Sequence, residues 1–87
     1  MEMVTIEIED DEALVLFEFL RRDINDRKGQ FAVPLKHPAE FWALNGVYGA
    51  LETMLVEPFD ARYGELLAAA RDRFIAIRDP DGDFFKK

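Results

Sequence analysis

Cysteine and serine are absent from the 87 residues, histidine occurs once, as His37, and threonine only as Thr5 and Thr53. Without cysteine there is no disulfide, no thiolate metal site and no thiol nucleophile. The absence of serine excludes a Ser-His-Asp triad, and the single histidine excludes a two-histidine metal centre. The scarcity of hydroxyls leaves nucleophilic catalysis almost without candidates. Long apolar runs are missing as well: no stretch approaches the roughly 18 residues needed to span a membrane. The start of the chain, MEMVTIEIEDDE, is acidic where a secretory leader would be basic. The expected location is the cytoplasm.

What is present is ordinary globular material: 49% hydrophobic and 13% aromatic residues, enough to argue against disorder. The length allows one domain, 1–87. A chain this short buries only about 60–65% of its unfolded surface, so most apolar side chains are needed to hold the fold itself. The net charge of −7 is placed unevenly. Residues 1–20 carry seven acids and no Lys or Arg, while the remainder is balanced. Such a field repels nucleic acid and anionic membranes and draws a basic partner toward the acidic end, less so as salt rises.

Val4, Ile6 and Ile8 alternate with Thr5, Glu7 and Glu9, the period of a strand with one buried and one wet face. The prediction is a short N-terminal β-strand, paired within the chain to residues 31–35 or 74–78, or across a dimer. Pro34 would make the first of these an edge strand. DEALVLFEFLRR follows, with Asp10 or Asp11 as the capping acid and Arg21 and Arg22 near the end, where the helix dipole favours positive charge. Between Ala13 and Leu20 only Glu18 is polar, which puts this helix at the centre, covered by more than one neighbour. DRKG, residues 26–29, is its polar exit, and residues 29–38, GQFAVPLKHP, form an extended connection.

A second helix begins at Pro38 and is stopped by Pro58 near Glu57, with Phe41, Leu44, Tyr48, Leu51 and Leu55 on one stripe. Gly46, Gly49 and Ala50 inside it point to close approach of a neighbouring helix, a break or ligand contact being the alternative. Asp60 is placed to cap a third helix whose stripe is Tyr63, Leu67, Ala70 and Phe74. Residues 75–77 either extend it as helix, the favoured reading because no turn signal precedes them, or form the strand that pairs with residues 4–8. DPDGDFFKK is turn chemistry followed by the terminus. The fold class is therefore mainly α: three helices, the first in the middle, with one short strand.

The segments DDEALVLFEFL and LVEPFDARYGELLAAAR resemble parts of short uncharacterised bacterial proteins, and together they cover about a third of the chain. The resemblance implies a bacterial, cytoplasmic setting and carries no functional residue across.

Searching for chemistry gives little. His37, between Lys36 and Pro38, reads as a surface residue beside a helix start. Asp79, Asp81 and Asp83 have the first spacings of a calcium loop, but Gly82 is displaced from the sixth position and the chain ends before the twelfth. Gly46 and Gly49 lie in a helical pattern, not in a phosphate loop. Glu40, Glu52, Glu57 and Glu65 fall at outward or terminal helix positions, so no acid–base pair is indicated. No catalytic residue, cofactor or metal is predicted.

The expected function is a non-enzymatic protein-interaction module, an immunity or antitoxin-type neutraliser being one form of it, that meets a basic partner. The candidate partner-binding residues are Glu7, Glu9, Asp10, Asp11 and Glu12, with Trp42 as an aromatic anchor. The plain alternative for the acids is a solvated edge and a favourable helix start, and for Trp42 a place over the central helix as core. The second functional reading is a homodimer or larger homo-oligomer that buries residues 4–8 or the Phe41, Trp42 surface. A carboxylate enzyme at a dimer cleft is a third, and it would need two acids converging in a concave pocket.

Overall fold

The computed structural model describes residues 2–26 and 35–82. Three helices account for most of them: α1, Asp10–Arg21; α2, Pro38–Met54; and α3, Tyr63–Arg78. A turn of π-helix, Arg22–Asp26, continues α1, and a short 3₁₀ turn, Glu57–Phe59, joins α2 to α3. Helix α1 lies between the other two, packed on both, as its almost uninterrupted apolar run requires.

Two adjacent stripes of α1 do this. Ala13, Phe17 and Leu20, spaced by four and three, meet Tyr48 and Leu51 of α2, with Leu44, Ile24 and Leu55 packed around them. The Phe17 and Tyr48 rings stack with centroids 5.2 Å apart. Leu14, one residue round from the first stripe, meets Leu67 and Ala70 of α3. Asp11 near the start of α1 reaches Arg73, and Glu18 near its end reaches Tyr63 at the start of α3, so these two helices run antiparallel.

The helix starts have different supports. At α1 the N-cap is Glu9, which makes no side-chain capping bond, so neither Asp10 nor Asp11 is the cap; both lie with Glu12 in the first turn, where carboxylates favour the helix dipole. At α2, Ala39 N–H donates to His37 Nδ1 at 3.0 Å and Lys36 N–H donates to Glu40 Oε1 at 2.7 Å, two donors satisfied from either side of Pro38. Asp60 acts one step ahead of α3: its Oδ1 accepts from Arg62 N–H at 2.8 Å, and Arg62 is the N-cap. Helix α2 stops at Met54, before the expected Glu57. The Pro58 ring would collide with the carbonyl of the residue four earlier, which is Met54.

No strand occurs among the described residues. Residues 2–9 belong to no helix and pair as no strand among the described residues, and Val4 and Ile6 are 90% and 71% exposed. One predicted partner, 74–78, is helical, and in the other, 31–35, all but Leu35 lie outside the described residues. The alternating pattern supplies an amphipathic edge, but a strand also needs a second edge. Residues 27–29 of the polar exit and 83–87 of the tail likewise lie outside the described residues.

Close helix approach at Gly46 and Ala50 is not found. Both are exposed, and a Cβ built on Gly46 or Gly49 meets nothing within 4 Å. Trp42, too, is not core: it is 66% exposed and touches its neighbour Phe41 edge-on, centroids 5.0 Å apart. Asp79 to Gly82 closes as a turn, Gly82 N–H donating to Asp79 O at 3.0 Å with Gly82 at φ 68°. No described helix is long and apolar enough to cross a membrane.

Candidate functional site

The predicted partner-binding acids occupy the arm that leads into α1 and the first turn of that helix. Glu7, Glu9 and Asp10 are exposed. Asp11 and Glu12 face partly inward, each engaged differently. Asp11 accepts a forked pair from Arg73, Nε at 2.9 Å and Nη2 at 2.8 Å. Those bonds hold the Asp11 carboxyl below its ordinary pKa and the Arg73 guanidinium above its own. Asp11 is thus spent on tying α1 to α3. Glu12 stands at one end of an open groove between the same helices. Trp42 is on a different element, early in α2.

Sequence reasoning passed over Glu18. It is 5% exposed, and three groups converge on it: Arg21 donates from Nε at 3.0 Å and from Nη2 at 2.9 Å, and the Tyr63 hydroxyl donates at 2.7 Å. Arg22 lies 3.9 Å away. Hydrogen bonding from Arg21 is the main cause holding the Glu18 carboxyl below its usual range, against the opposing effect of burial. Burial, followed by the hydrogen bond to Glu18, pushes the Tyr63 phenol well above its usual value. The signal was available: one carboxylate in an apolar run, with arginines three and four residues on. The arrangement is a structural clasp. Glu18 is ionised and saturated with donors, the opposite of a carboxyl kept neutral to donate a proton.

Two concavities flank α1. One, of about 370 Å³, is walled by the aromatic rings of Phe17, Tyr48, Phe59 and Tyr63, with Arg21 and Glu52 at its edge. The other, of about 430 Å³, is the groove between α1 and α3, with Val15, Leu16, Phe19 and Phe74 along it and Arg22 and Arg71 beside them. Among the described residues no three His, Asp or Glu side chains are placed to hold a metal ion. His37 is used as a helix cap. No protein-family model, no curated protein and no solved structure matches this chain.

Proposed function

We propose that this chain is a protein-interaction module without chemistry of its own, which binds a basic protein partner through the acidic arm and the first turn of α1. The observation that supports the reading is the state of residues 2–9. Glu7 and Glu9 alternate with exposed Ile6 and Ile8 on a segment that pairs as no strand among the described residues. A segment of this kind, outside helix and strand, can extend along another protein's sheet edge, backbone bonds giving affinity and the acids giving preference for a basic face. Glu7, Glu9 and Asp10 carry the contact, Glu12 is at its margin, and the exposed Trp42 is a separate aromatic anchor. Asp11 contributes through the field only, because Arg73 holds it. A neutraliser of the immunity or antitoxin type, acting in a bacterial cytoplasm, is the form this module takes.

The test is co-purification of the tagged protein from its native cell at low and at high salt, beside the Glu7→Lys, Glu9→Lys variant. A stoichiometric basic partner at low salt, lost at high salt and lost by the variant, is the expected result. Capture indifferent to both salt and charge reversal would defeat the electrostatic reading.

A further inference from the structure

The groove between α1 and α3 has what the arm lacks. Val15, Leu16, Phe19 and Phe74 give it an apolar floor, and Phe19 is 44% exposed in an otherwise well-covered helix. Arg22, continuing α1, and Arg71, on α3, stand on opposite walls. Arg22, which also lies 3.9 Å from Glu18, and Arg71 outnumber the single acid Glu12 along the groove, so in a chain of net charge −7 this is a place where an acidic, apolar segment is attracted. Residues 2–9 are such a segment, with Val4, Ile6 and Ile8 along one edge and Glu7 and Glu9 along the other.

We propose that the groove receives the arm of a second copy of this chain, whose own groove takes the first arm in return, so that two copies form a two-fold dimer by exchanging residues 2–9. The lengths agree. Eight extended residues reach about 26 Å, whereas the groove, from Glu12 to Arg22, runs for about 15 Å of helix axis. The surplus spans the gap between the copies. The arm does not serve its own groove: Glu9 O is held by Ala13 N–H at 2.8 Å, so the chain would have to double back at its first helical residue, past Glu12. Val4 and Ile6 accordingly stand clear of it. With the apolar edge down, Glu7 and Glu9 face outward, where the long Arg22 and Arg71 side chains rise to the rim. Both readings use residues 2–9, so a basic partner and a second copy compete for the arm, and the dimer rests on the groove rather than on the basic-partner reading. Two-fold exchange makes the contact twice, which is how a short segment yields a stable pair.

Sedimentation of the purified full chain across the micromolar range tests this. The wild type should sediment at twice the chain mass of 10.1 kDa. Val4→Asp, Ile6→Asp changes only exposed arm residues and Phe19→Asp changes the groove; each should weaken association by at least about tenfold, with helical circular dichroism unchanged. Mixing the two variants restores one intact arm in one intact groove and should recover a two-chain species, weaker than wild type. A wild type of single-chain mass throughout, or a dimer indifferent to Val4→Asp, Ile6→Asp, would overturn the proposal. Phe19→Asp separates the readings, since it removes the two-chain species while leaving Glu7 and Glu9 in place for partner capture.

Discussion

Against α2, helix α1 presents hydrocarbon and an aromatic ring, Ala13, Phe17 and Leu20 meeting Tyr48 and Leu51. Against α3 it presents a short apolar centre, Leu14 on Leu67 and Ala70, bracketed by Asp11 on Arg73 at one end and Glu18 on Tyr63 at the other. The two contacts divide the work of folding. The apolar one supplies most of the free energy and tolerates sliding, because burial has no direction. The bracketed one fixes register, since a buried carboxylate displaced by one turn loses the donors that offset its desolvation.

The comparison can be broken first at its apolar side. Leu20 is fully buried, and Leu20→Ala should cost about 3 kcal/mol in urea-induced unfolding at neutral pH. Next is Glu18→Gln, which keeps the shape and loses the charge. Hydrogen bonds to a charged group suggest a loss of about 2 kcal/mol. Its pH dependence is the sharper readout. The folded Glu18 carboxyl lies below its ordinary 4.5, so the unfolded chain binds more protons as acid is added. The stabilisation is fully present above 4.5 and lost as pH falls below it, and the difference between wild type and Glu18→Gln should shrink in the same window. Tyr63 sets the opposite limit. Its phenol is raised above the ordinary 10.0, so stability falls as pH rises past that value, and Tyr63→Phe should remove this alkaline loss.

Gly46→Ala should stabilise by about 1 kcal/mol, since the added methyl meets open space on a face outside both contacts. A loss of stability there would mean that the face is in use. The smallest effect belongs to Asp11→Asn: exposed pairs are screened, and unfolding in moderate salt should match wild type.

The sequence made the helices legible because their apolar residues recur at helical spacing, and the near-continuous run from Ala13 to Leu20 placed α1 in the middle. The stop of α2 was readable too, had the collision of Pro58 with Met54 been weighed over the restriction on Glu57. The strand was not readable. Alternation in Val4, Ile6 and Ile8 describes one edge, and pairing is a property of two. Gly46 and Ala50 misled for a related reason: small residues permit close approach without supplying the neighbour. In the candidate site, exposure of Glu7, Glu9 and Asp10 follows from composition, but the capture of Asp11 by Arg73, 62 residues away, depends on how α3 returns. Glu18 is legible in the sequence only as the one polar residue of an apolar run; its partner Tyr63 lies 45 residues away and depends on the same return of α3.

Leu55, just past the end of α2, packs against both apolar clusters. A residue shared in this way makes the release of one outer helix felt by the other, even though each leans mainly on α1. Amide hydrogens of α2 and α3 should therefore exchange through the same global opening as those of α1. Trimming Leu55 to alanine would let the outer helices open one at a time, turning a single cooperative unit into two that share a spine.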